Sequence, residues 1–140
     1  MPGLIDALKV QHSAILARLD ALPALIGEPV RIGEELLRLK GILLEHHGRE
    51  DDELYPMLLR YPAVLRAKSA QLEALLSVIG PDMMLVSKTA IDFIDQHAGN
   101  AAGQDFRRDL GAFTASLRRR IANEERLIFP EVEKLGLARG

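Results

Sequence analysis

Apolar residues recur at helical spacing along nearly the whole chain, and the alternation that marks a strand is absent. In the first stretch the inward positions read Ile5, Leu8, His12, Ile15, Leu19 and Leu22. In the second they read Leu36, Leu39, Leu43, His46, Glu50, Leu54 and Met57, with a slip of one residue on the way. The third runs Leu72, Leu76, Ile79, Met83, Val86, Ala90 and Phe93, and the last Phe106, Leu110, Phe113, Leu117, Arg120, Glu124 and Leu127. Each stripe needs another helix to cover it. The breaks are few. "ALPALIGEP" (21–29) separates the first helix from the second, and Pro62 should end the second near Tyr61. Gly80-Pro81 interrupts the third region, as a kink or a fresh start. In "AGNAAGQD" (98–105), Gly99 suits a helix C-terminus and Asp105 an N-cap. Four long helices with short connections predict an all-α, antiparallel up-down four-helix bundle, with one domain over residues 1–140.

Composition narrows this picture. At 140 residues, 48% of them hydrophobic, the chain can bury a core and is not a disordered segment. Eighteen basic against twenty acidic residues give no reason to expect nucleic acid or an anionic membrane as a partner. With no cysteine, disulfides, thiolate metal sites and cysteine catalysis are excluded. "MPGLIDALKV" does not read as a secretory signal, and no apolar run would span a bilayer. A cytoplasmic location is the expectation.

The chemistry lies where the stripes are interrupted. His12, His46, Glu50, Arg120 and Glu124 occupy inward positions at similar depth in three helices. A buried imidazole or carboxylate costs several kcal/mol unless it is paired or binds a metal, so five at one level form a site. His46 and Glu50 are four residues apart and project from one face. Imidazole nitrogen with carboxylate oxygen suits iron, zinc or manganese. The surrounding residues have plainer readings. His47 and Asp51 read as a partly exposed pair, and His97 as a cation at a helix C-terminus. Asp82 reads as a helix start, Met83 and Met84 as core, and "REDDE" (49–53) as a solvated face apart from Glu50. Tyr55 and Phe129, each before a proline, should pack the bundle end.

The stretch H-H-x-x-E-D-x-x-L-Y-P at 46–56, after a helix-borne His12, resembles the hemerythrin-like HHE cation-binding family. The resemblance extends over nearly the whole chain, and E-E-x-x-I-F-P at 124–130 sets the last register, with Glu124 six before Pro130 as Glu50 is six before Pro56. It implies a four-helix bundle with metal-ligand roles for His12, His46, Glu50 and Glu124. Two departures matter. Arg120 stands where the family's fourth-helix histidine would fall, and the third stripe carries no histidine. With four histidines in the chain, a five-histidine, O2-carrying di-iron centre is not expected. Two physical models remain open. In one, a single metal, iron by expectation, is held by His12, His46, Glu50 and Glu124, with Arg120 supplying the charge of a second metal. In the other there is no metal, and Arg120 closes a buried network with Glu50 and Glu124. The resemblance implies sensing of oxygen, nitric oxide or redox state, or stress regulation, through a small gaseous or redox ligand at the metal. The metal-free model implies a helical interaction module. A protein partner or a homodimer is compatible with either. No nucleophile–base pair or phosphate loop suggests an enzyme.

Overall fold

The computed structural model describes residues 3–54 and 85–134. Tyr55, Met57, the Tyr61–Pro62 helix end, Leu72, Leu76, Ile79, Gly80-Pro81, Asp82, Met83 and Met84 lie outside the described residues. Helix α1 spans Leu4–Ala21 and runs into a 3-10 turn, Leu22–Leu25. Helix α2 spans Pro29–Arg49 and continues as a π-turn, Glu50–Leu54. Helix α3 covers residues 85–97. Helix α4 spans Gln104–Asn123, continues as a second π-turn, Glu124–Ile128, and ends as α5, Phe129–Lys134. The chain is all-α, with no strand among the described residues.

Side-chain contacts between helices fix the directions. Arg18 pairs with Glu35, and Gln11 bonds His46, so α1 and α2 are antiparallel. Lys40 pairs with Asp95, and a β-carbon at Gly33 would overlap the carbonyl oxygen of Ala98, so α2 and α3 are antiparallel and cross closely there. Ser87 meets Arg120 and His97 meets Asp109 between α3 and α4. Arg118 pairs with Asp20, and Lys9 with Glu133, between the last helices and α1. The order is up-down throughout, as the short connections predict.

The turns follow local chemistry. Pro29 occupies the first turn of α2, where its missing N–H costs nothing, and Gly27 takes φ +97° in the approach to it. Before α4 the N-cap is Gly103, at φ +98°, and not Asp105, which lies in the first turn where its charge still faces the positive helix end. Gly99 follows α3 without entering the left-handed region, so it is not the left-handed cap its position suggested.

The stripes predicted for α1 and for α2 through Leu54 are buried at every position. So are Phe106 to Glu124 along α4, but the stripe then passes to Ile128, and the expected Leu127 is only half-buried. The π-turn is the reason. There the Phe129 N–H bonds the Glu124 carbonyl five residues back, which inserts one extra residue and rotates the helix beyond it. The slip of one residue in the second stripe has the same origin at Glu50–Leu54. Pro130 explains the placement, since its ring excludes the carbonyl four residues earlier and it has no N–H to offer. Two apolar layers result. One, built from residues such as Leu19, Leu36, Phe93, Phe106 and Phe113, fills the α1–α2 loop end. The other, with Leu8, Leu54, Ile128, Phe129 and Val132, lies beyond the polar positions.

Candidate metal centre

Between those layers α1 supplies His12, α2 His46 and Glu50, and α4 Arg120 and Glu124, all buried. One donor atom from each of His12, His46, Glu50 and Glu124 lies within 4.8 Å of the others, a His/Glu group that could hold a metal ion. His46 Nε2 is 3.0 Å from Glu50 Oε1, and His12 Nε2 is 3.3 Å from Glu124 Oε1. The imidazoles meet edge to face at 4.7 Å. Phe129 stacks on His12 at 5.4 Å, so it packs against the site itself and not merely the bundle end.

The outer nitrogens of both rings are engaged. His46 Nδ1 donates to Gln11 Oε1 at 2.7 Å, and His12 Nδ1 donates to Glu125 Oε2 at 3.3 Å. An Nδ1–H held outward leaves Nε2 as the bare lone pair, aimed into the cluster. Despite their short distances to carboxylates, the Nε2 atoms of His12 and His46 make no hydrogen bond, and neither does Glu50 Oε2. Two inward-facing imidazole Nε2 atoms without a hydrogen bond, set against carboxylate oxygens, are satisfied together by a cation or by protons. This donor set therefore fits a metal ion.

Arg120 enters the same cluster. Its Nη2 donates to Glu50 Oε1 at 3.3 Å, Nε lies 3.7 Å from Glu124 Oε1, and Nη1 bonds Ser87 on α3. All four helices thus contribute. Burial pushes Glu50 well above the usual carboxylate range, helped by its contact with Glu124 and that residue's charge, against Arg120. Burial also pushes Glu124 up, but its contacts with Glu50 and His12 and the Arg120 charge outweigh it and hold the group low. The two carboxyls therefore titrate as a pair, with Glu50 on the raised side and Glu124 on the lowered side. Burial, then the neighbouring His12, lowers His46 to about 4, so its ring is neutral near pH 7.

Three contributors escaped the sequence reading. Gln11 and Glu125 are each adjacent in sequence to a residue already singled out, and Ser87 is adjacent to Val86 of the third stripe. The only available signal was the doubled acid at 124–125, whose second member faces His12 across the bundle. The expected His47–Asp51 pair is not formed. His47 is buried, its ring 5.6 Å from His46, while Asp51 points to solvent. His47 flanks the inward stripe beside His46, and burial of that flank brings its ring into the interior. His97 ends α3 as expected, but it is also buried, contacting Phe93 and Phe106 and bonding Asp109 at 3.2 Å.

Among the described residues no helix is long and apolar enough to cross a membrane. Comparison with curated proteins and with solved structures gives no match. The family model for the hemerythrin HHE cation-binding domain matches residues 3–132, which takes in every residue of the cluster. The chain belongs to the hemerythrin HHE cation-binding domain family.

Proposed function

We propose that this protein binds a single metal ion, iron, through His12, His46, Glu50 and Glu124, and uses it to sense oxygen, nitric oxide or redox state rather than to carry O2. The observation that carries the reading is the pair of buried Nε2 atoms without a hydrogen bond, each with its other ring nitrogen tied outward. Nitrogen and carboxylate donors in this ratio suit iron. The metal would supply an electrophilic, redox-active centre to which a small ligand can bind. The protein's own part is to hold both imidazoles in one tautomer, to exclude bulk water between two apolar layers, and to balance charge. Arg120 stands close to both carboxylates and brings a fixed positive charge where a second ion would otherwise be needed. That favours one metal over two; the role proposed with it is sensing or stress regulation in the cytoplasm, without catalysis.

The contact between Arg120 and Glu50 also supports a second reading, in which the cluster is a metal-free polar core of an interaction module. That reading satisfies His12 Nε2 and His46 Nε2 only through added protons, whereas one metal ion takes up both at once, which is why the first is preferred. The test is metal content after anaerobic iron reconstitution of wild type, His46→Ala and His97→Ala. His46→Ala should lose the metal. His97→Ala should keep it, although removal of a buried ring will lower stability. Equal loss in both, or no metal in wild type, would contradict the proposal.

A further inference from the structure

The outward face of α2 has a pattern that no packing among the described residues uses. Val30, Leu37 and Leu44 recur at intervals of seven and are 74%, 55% and 53% exposed, while Leu36, Leu39 and Leu43 fill the core from the other side. Gly41 and Gly48 fall in the same stripe by helical geometry. A β-carbon at either would meet nothing within 4 Å. Glycine in a helix is unfavourable relative to alanine, and packing among the described residues does not call for an open glycine inside α2. It does allow a second helix to approach closely.

The charges beside the stripe indicate which helix. Along one flank run Arg31, Glu34 and Arg38, then Glu45, Arg49 and Asp52. When α2 is laid antiparallel on a copy of itself, with a two-fold axis at the Gly41–Ile42 bond, Arg38 faces Glu45, Glu34 faces Arg49 and Arg31 faces Asp52. Each contact occurs twice by symmetry. In such a pair the same flank of both helices meets, so this arrangement is sterically coherent. The same axis sets Leu37 between the partner copy's Leu44 and Gly48, and Leu44 between Leu37 and Gly41, as knobs in holes. Among the described residues Arg31, Arg38 and Arg49 pair with Glu28, Glu35 and Glu53, near neighbours in sequence, on exposed surface. These local pairs are weak and can be exchanged. Gly111, also open, lies among charged and small residues of α4 and has no apolar flank.

We infer that the protein forms an isologous homodimer through the outer face of α2, antiparallel across Gly41, with Leu37 and Leu44 as the apolar contact and the Arg38–Glu45 and Glu34–Arg49 pairs fixing its direction. A self-complementary face closes on two copies and does not propagate. This does not depend on the metal. The test is sedimentation velocity on the full chain over a wide concentration range. Wild type should dimerise, and the Leu37→Glu/Leu44→Glu variant should be monomeric with unchanged helix content. Arg38→Glu alone and Glu45→Arg alone should each weaken the dimer by roughly tenfold or more, and the double reversal should restore it. A wild type monomeric at every concentration would overturn the inference, as would an assembly indifferent to Leu37→Glu/Leu44→Glu. Failure of the double reversal to restore the dimer would overturn the antiparallel arrangement.

Discussion

Arg120 is a residue whose cost and benefit can be separated. Its guanidinium is buried beside Glu50 and Glu124 and anchored on Ser87. Without it, the metal-free protein would hold two buried carboxyls with no fixed cation beside them. Arg120→Met keeps much of the bulk and removes the charge. Urea unfolding of metal-free protein should show a loss of about 3–5 kcal/mol, the scale for breaking a buried pair from one side. A loss below about 1 kcal/mol would mean that the guanidinium merely fills space. His12, His46, Glu50, Arg120 and Glu124 were all legible in the sequence, because each is a polar residue at a position where helical spacing demands an apolar one. Gln11, Ser87 and Glu125 were not, because each lies beside a stripe, where a polar residue is unremarkable until the facing helix is known.

At the scale of elements, the two π-turns are the devices that aim the site. Each begins at a cluster glutamate, Glu50 or Glu124. The wide turn lets successive residues Glu124 and Glu125 both reach His12, one at each ring nitrogen. Deleting the exposed Arg126 would remove the extra residue while keeping Ile128 and Phe129 in register with the core. Circular dichroism should then show unchanged helix content. Metal affinity should fall roughly 10–100-fold as Glu125 leaves His12. Unchanged affinity would show that the wide turn has no part in the site. The repeated glutamate-to-proline spacing was visible in the sequence, but heptad reasoning has no place for an inserted residue. It therefore put Leu127 in the seam instead of Ile128.

For the whole molecule, the interior imidazoles tie stability to pH. Burial and neighbouring positive charges lower His46 to about 4 and His47 to about 3, below the 6.5 of an exposed ring. The unfolded chain therefore takes up these protons first. Their contribution is fully present above about pH 6.5 and is lost as pH falls toward 4 and below. Melting temperatures of metal-free protein should decline through this window, and His47→Gln should shrink the decline. A flat profile between pH 7 and 4 would mean that the rings are not held neutral. The fold itself was the most legible property, since the apolar stripes and short connections leave an antiparallel bundle as the simple way to cover every helix.

Whether one metal ion sits between His12, His46, Glu50 and Glu124, with Arg120 in place of a second, decides between the two readings of the cluster. Anaerobic titration of Fe(II) into metal-free protein, with bound iron counted per chain, answers it. Binding should saturate at one iron per chain and be lost in His46→Ala. Saturation at two would show that Arg120 does not stand in for a metal, and no binding would show that the cluster is a polar core closed by Arg120 alone.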